Sequence, residues 1–507
     1  MHRHQSVWQA TAVMPECPRL NSNQHVEVCI VGAGMAGLTT AYLLCQAGKS
    51  VVVLDDGPLA GGITQMTTAH LVDALDDRYF ELERLHGRVA ARLAAESHGA
   101  AIDRIEAIAA AERIACEFAR VDGYLFLAED DKRETLEKEI AAAQRAGLRD
   151  VELLAGAPLP FDTGPCLRFP RQGQFHPLQY LAGLVRAIQR EGGRIYTHSH
   201  AEHIEGGNPA LVYANTHIVT ADAVVVATNA PVNDRVAIHT KQAPYMTYVI
   251  GARVRRGVVP KVLAWDTGDP YHYIRTEPLG EDDLLIVGGE DHKSGQASDT
   301  AERHARLEEW TRRRFPIGPV EFAWGGQVME TVDYLAFTGR NPLDKDNIYI
   351  HTGDSGMGLT HATIGGMILS DLILGRENPW AELYDPRRKT VGAAREYTAE
   401  NLNVAAQYAD WLKPGEVKSA AEIPRDSGAI MRRGLHKIAV YRDEKGEAHE
   451  RSAACPHLGC MVHWNGAEKT WDCACHGSRF DRHGQVINGP SNHDLASVES
   501  PPKQRAA

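Results

Sequence analysis

The sequence predicts an α/β domain with a parallel sheet, interleaved with an α+β domain built on an antiparallel sheet and followed by a small all-β domain. Three observations lead there. A strand, glycine turn, helix, strand unit begins at Val26. Short β-branched runs separated by turn residues then dominate the middle of the chain. Finally, four of the nine cysteines fall in the last 53 of 507 residues, interleaved with histidines in a turn-rich stretch. In a chain for which no secretory signal is expected, such crowding points to a metal centre before a disulfide scaffold.

Composition narrows the class. A formal net charge of −12, with 24% charged and 43% apolar residues, describes a globular chain and argues against a broad nucleic-acid or anionic-membrane surface. No apolar run approaches the ~20 residues that span a bilayer. The first residues lack a charged segment followed by an apolar one, so the expected location is the cytoplasm.

Residues 1–24 are polar and proline-spotted and read as an arm. Residues 26–31 form a buried strand, Gly32-x-Gly34-x-x-Gly37 turns the chain, and residues 38–47 carry helical spacing. Residues 51–54 are a second strand ending at Asp55. In such a unit the first glycine permits the turn, the second lets the backbone approach a pyrophosphate, and the third lets helix pack on strand. The helix N-terminus offers free N–H groups to the phosphates, and Asp55 can accept from the adenosine ribose. The unit suits FAD and NAD alike. Residues 78–146 are Ala-, Glu- and Arg-rich with helical periodicity and read as a helical insertion. Strands follow at 193–196, 217–219, 223–226, 247–254, 284–287, 320–322 and 347–351, then a helix over 361–374 and a charged helical stretch over 385–411. Lys413-Pro414-Gly415-Glu416 is a linker, and the remainder looks all-β.

Three further segments favour FAD: Gly61-Gly62 through Thr67-Thr68-Ala69-His70, the strand end Ala227-Thr228, and the loop Gly353-Asp-Ser-Gly356-Met357-Gly358-Leu359-Thr360. With these the chain resembles the D-amino-acid, glycine and sarcosine oxidase family of FAD enzymes over roughly residues 26–375. The resemblance implies a glutathione-reductase-like FAD-binding domain. It places the late glycine loop near the flavin ring and ribityl chain, the Ala227-Thr228 segment near the dinucleotide, and Ala201 at the adenine. No second GxGxxG follows a predicted strand, so a separate NAD(P)H domain is not expected. The implied division is an arm (1–24), the oxidoreductase (25–380), a helical linker (381–414) and the C-terminal domain (415–507). Within the oxidoreductase, FAD segments fall at about 25–77, 160–235 and 340–380, and substrate-domain segments at about 78–159 and 236–339.

Near the C-terminus Cys455-Pro-His457-Leu-Gly-Cys460 is followed by Cys473-Ala-Cys475-His476-Gly-Ser478-Arg-Phe480. These boxes resemble the Rieske iron–sulfur family. The resemblance implies a [2Fe-2S] cluster with Cys455 and Cys473 as sulfur ligands and His457 and His476 as nitrogen ligands. It also implies a Cys460–Cys475 disulfide of the respiratory type, although cytosolic reductants can keep such thiols reduced. Ser478 matches a serine that raises the cluster potential, whereas Phe480 stands where the respiratory type has a tyrosine that donates to a ligand sulfur. Two Cys and two His also suit zinc, which leaves the two extra cysteines and Ser478 unexplained.

For chemistry, the middle of the chain offers Arg275 as an anion clamp, His292 as a proton shuttle and Lys293 as an electrostatic partner of reduced flavin. Amino-acid oxidases usually carry a substrate-binding arginine after the Trp324-Gly325 pair; here the stretch reads Gly325-Gly326-Gln327-Val328. The expected activity is oxidation of a small organic substrate, an amine or an amino-acid-like molecule. Electrons would pass from FAD to the cluster and through its histidine edges to an external one-electron acceptor, or in reverse from a donor. An oxygen-using oxidase with a structural Rieske appendage and a non-catalytic redox module are the alternatives.

Overall fold

The computed structural model of the 507-residue chain describes residues 2–233 and 237–498. The expected segment boundary at 235 and the tail 499–507 lie outside the described residues.

The run at Gln24–Val31 becomes the centre of a parallel sheet because both its faces are apolar and covered. Val51–Leu54 and His217–Val226 flank it in parallel, and Arg194–Tyr196 and Ile348–Thr352 extend the parallel order outward. Phe337–Arg340 closes one edge antiparallel. Val28, Ile30, Val51 and Val53 face the helices Met35–Gln46 and Pro177–Arg190. Cys29, Val31, Val52 and Leu54 face Ala210 and Val212 of the Ala201–Glu205/Ala210–Ala214 hairpin. Gly37 sits where a Cβ would come 1.9 Å from the Gly32 carbonyl oxygen, so helix and turn can close only on glycine.

The second layer is a ten-stranded, largely antiparallel sheet whose long strands are Gln242–Val254, Asp282–Lys293 and Val320–Thr331. Tyr273–Leu279 pairs with Asp282–Lys293 and carries Tyr273 and Arg275. The C-terminal domain has a three-stranded sheet (Ser427–Arg433, His436–Arg442, Ala448–Ser452) and a four-stranded sheet (Val462–Asn465, Thr470–Cys473, Arg479–Asp481, Val486–Asn488).

The structure corrects three expectations. The region 78–146 is not all helical: Ala119–Phe126 is a strand between the helices Tyr79–Ala111 and Arg133–Arg145, held by Cys166–Gln174 and Leu263–Asp266 on its two sides. Cys166–Gln174 therefore belongs to the antiparallel sheet, not to an FAD segment beginning near 160. The arm is also part of the fold. His2–Arg3 pairs with Phe322 and Ala323, and Ser6 caps the short helix Val7–Thr11, whose Trp8 is 0% exposed. The linker holds the helix Ala394–Gln407, and Val404 and Trp411 pack on the C-terminal domain's core.

Candidate functional site

A cavity of about 480 Å³ runs along the carboxyl ends of the parallel strands and continues between the two sheets. Gly32, Gly34, Asp55, Ala201, Ala227 and Thr228 line its first part. Asp55 accepts from the Ala33 N–H at 2.6 Å and the Gly57 N–H at 2.9 Å. Burial outweighs these bonds and raises its carboxyl to about 7. The N-terminus of Met35–Gln46 faces the cavity, with the Met35 N–H 3.2 Å from Thr64 Oγ1. Gly61, Gly62, Thr67, Thr68, Gly356, Met357, Gly358 and Leu359 line the next part. Gly37, Ala69, Gly353 and Thr360 stand behind the wall; Thr360 Oγ1 bonds His98 Nδ1 at 2.9 Å.

The far end is acidic and aromatic. Asp76, Asp291, Tyr271, Tyr273, Trp265, Thr247, His70 and Gln327 converge there. Tyr271 Oη donates to Asp76 Oδ2 at 3.0 Å, and the hydroxyls of Tyr273 and Thr247 pair at 2.7 Å. Burial raises Asp76, and burial with the nearby Asp76 and Asp269 charges raises Asp291 to about 7. Desolvation and the adjacent Arg275 push His70 down to about 3, so its imidazole is neutral at physiological pH. No lysine or arginine lines the cavity among the described residues.

The Cys–His centre lies at one end of the C-terminal domain. Its loops leave the strand ends after Ala448–Ser452 and Thr470–Cys473. Cys455 and Cys473 are buried together in the domain's core, the Cys455 N–H donating to the Cys460 carbonyl at 2.8 Å and the Cys473 N–H to the Ser478 carbonyl at 2.9 Å. The rings of His457 and His476 stand 5.0 Å apart. His476 is 7% exposed, and its Nδ1 is buried without a hydrogen-bond partner. Two thiols in one pair and two imidazoles in another, with an orphaned ring nitrogen, suit a two-iron cluster in which thiolates hold one iron and imidazoles the other. Cys460 and Cys475 are disulfide-bonded across the two loops, with Cα atoms 6.2 Å apart.

Comparison with known proteins agrees with this geometry. A model described as FAD dependent oxidoreductase, the DAO family, matches residues 27–372. The chain belongs to that family. A Rieske [2Fe-2S] domain model matches residues 413–499, so this DAO-family oxidoreductase carries a Rieske domain behind its flavoprotein part. YhfW of Bacillus subtilis (strain 168), named a Rieske 2Fe-2S iron-sulfur protein, is 29% identical over 499 residues, covering 98% of this chain and 97% of YhfW. Gamma-glutamylputrescine oxidoreductase of Escherichia coli (strain K12) is 28% identical over 394 residues, 74% of this chain and 90% of that protein. Glycine oxidase from Geobacillus kaustophilus superposes with a TM-score of 0.61 at 16% identity, over 72% of this chain and 100% of that one. The family binds FAD and the Rieske domain binds a [2Fe-2S] cluster.

The three residues expected to do chemistry do not reach the cavity of this oxidoreductase. Arg275 is 1% exposed, ion-paired with Glu277, and donates to the carbonyls of Thr68, Ala69 and Phe175 while stacking over Trp8. It braces the loop that walls the cavity instead of clamping an anion. His292 is spent on the Tyr248 hydroxyl at 2.9 Å and the Lys293 carbonyl. Lys293 reaches the linker helix, where Glu400 accepts from its Nζ at 2.7 Å. The missed residues are Asp76, Asp291 and His239. His239 stacks edge-on to both ligand-type imidazoles, at 4.9 Å from His457 and 5.9 Å from His476, and nothing in the run His239-Thr240-Lys241 signals that position.

Proposed function

We propose that this oxidoreductase oxidises a small cationic amine at FAD and passes the electrons, one at a time, to the Rieske cluster of its own chain. The observation that carries this reading is a shared wall. Val486, Ile487, Asn488, Gly489, Ser491 and Asn492 of the C-terminal domain line the same cavity as Gly32 and Asp55, while the ligand-type imidazoles His457 and His476 pack on His239 of the flavoprotein part. The imidazoles proposed to hold the cluster thus pack against the flavoprotein part.

Bound FAD supplies a two-electron acceptor that can be emptied in single steps. The chain's own residues select and hold the substrate. With carboxylates and aromatic rings at the far end and no lysine or arginine in the lining, that end attracts a cation and offers a substrate carboxylate no partner. A cation about 4 Å from one carboxylate gains roughly 4 kcal/mol at an effective dielectric near 20. Raising Asp291 from 3.8 to about 7 costs a similar amount, roughly 4 kcal/mol. Arrival of a cation is therefore enough to leave Asp291 ionised. Tyr271, Tyr273 and Trp265 provide aromatic faces for the same charge. Oxidation turns the substrate C–N bond into C=N, and two protons leave with two electrons. With both cofactors bound, the two electrons would leave by way of the cluster that Cys455, His457, Cys473 and His476 would hold, reducing two one-electron carriers per substrate.

The test is anaerobic mixing with a panel of amines, N-substituted amines and amino acids while flavin and cluster absorbance are followed together. Coupled bleaching with carboxylate-free amines is expected. Flavin bleaching with the cluster left oxidised, or stoichiometric peroxide in air, would overturn the reading.

A further inference from the structure

We propose that Gln327 is the positioning residue that couples the flavin cavity to the cluster. The inference rests on the proposed transfer between the two cofactors. Gln327 lies in the Val320–Thr331 strand, is 2% exposed and lines the far end of the cavity. Its Nε2 donates to the Gly477 carbonyl at 2.7 Å, and its Oε1 accepts from Asn229 Nδ2 at 3.5 Å. Asn229 follows Ala227-Thr228 and lines the cavity too. Gly477 itself directly follows His476, one of the two ligand-type imidazoles. One residue of the cluster loop is thus bonded through its carbonyl to a cavity wall while its chain neighbour is a ligand-type imidazole.

The fit at this point is tight. Gly477 has φ +83°, and a Cβ there would come 2.5 Å from Pro244 Cβ and 2.9 Å from Gln327 Nε2. Only glycine lets the loop come this close to the strand. The carboxamide suits this role because it can donate and accept at once. It ties the dinucleotide segment, through Asn229, to the cluster segment, through Gly477.

The test uses the full-length protein loaded with both cofactors and two variants, Gln327→Leu and Gln327→Glu. Leucine keeps bulk without a donor; glutamate keeps length but its carboxylate cannot donate to a carbonyl. A flash of blue light with EDTA as electron donor reduces the protein's own flavin, and cluster bleaching is timed afterwards. Electron paramagnetic resonance of the dithionite-reduced protein confirms that each variant holds its cluster. Both variants are expected to slow flavin-to-cluster transfer on the order of tenfold, the effect of one buried hydrogen bond lost. They should also shift the cluster potential, because the loop that carries His476 is no longer held at the Gly477 carbonyl. Wild-type rates with an unshifted potential in both variants would overturn the role of Gln327. No transfer in the wild type itself would instead overturn the proposed function.

Discussion

The ring of His239 meets that of His457 edge to face at 4.9 Å, and its Nε2 lies 3.2 Å from the Pro231 carbonyl. A flavoprotein-domain histidine therefore covers the imidazole pair proposed to hold the cluster. His239→Ala should uncover it. Small hydrophilic oxidants such as ferricyanide should then reoxidise the dithionite-reduced cluster faster than in the wild type. The change should cost roughly 2 kcal/mol of stability for a buried side chain removed. Stopped-flow reoxidation and thermal unfolding check both parts; an unchanged reoxidation rate would mean that His239 shields nothing.

Asp291 gives the reaction a pH signature. Its carboxyl is raised to about 7, first by burial and then by the Asp76 and Asp269 charges, against 3.8 in its ordinary setting. Below about pH 7 the free site holds it protonated and neutral, so the attraction for a cationic amine is weaker there; above that pH it is ionised and binding is stronger. The apparent KM for an amine should therefore fall as pH rises through 7, until the amine itself loses its proton. Asp291→Asn should remove this limb and raise KM on the order of a hundredfold, or roughly 3 kcal/mol of lost ion pairing. A pH-independent wild-type KM across this range would contradict the assignment.

Asn492 gives the C-terminal domain a hold on the dinucleotide end of the cavity. Its Nδ2 donates to the carbonyls of Ala201 at 2.9 Å and Glu202 at 3.2 Å. Asn492→Ala loses about 1 kcal/mol of net hydrogen bonding, so FAD should dissociate roughly fivefold faster. The fluorescence of FAD released on dilution measures this directly. Equal retention in both proteins would show that the domain contact does not guard the cofactor.

What was legible in the sequence is what local geometry dictates. The glycine turn ahead of Met35–Gln46 is fixed by backbone close approach, and the Cys455–His457 and Cys473–His476 boxes lie in the matched Rieske domain, so both read as patterns. Arg275, His292 and Lys293 misled because residue type says nothing of partner: Glu277, Tyr248 and Glu400 claim them. The strand Ala119–Phe126 was hidden by its half-exposed start, and its partners lie far off in the chain. Gln327 was visible only as a missing arginine; the partner that explains it, Gly477, is 150 residues away.

The cluster potential supplies the last prediction. Phe480 is fully buried in the same core cluster as Cys455 and Cys473. It stands where respiratory-type Rieske proteins place a tyrosine that donates to a ligand sulfur. Ser478 keeps the other hydroxyl: it is fully buried and accepts from the Ser491 N–H at 2.9 Å. A donor to a ligand sulfur stabilises the reduced, more negative cluster and raises its potential. One hydrogen bond of about 1 kcal/mol corresponds to roughly 40 mV for a single electron. Phe480→Tyr should therefore raise the midpoint by about 40 mV, and Ser478→Ala should lower it by a similar amount, within a family range of about −150 to +300 mV. A redox titration followed by electron paramagnetic resonance reads both shifts. A Phe480→Tyr midpoint at or below that of the wild type would mean that the hydroxyl finds no sulfur, and that the absent tyrosine does not set this cluster's potential.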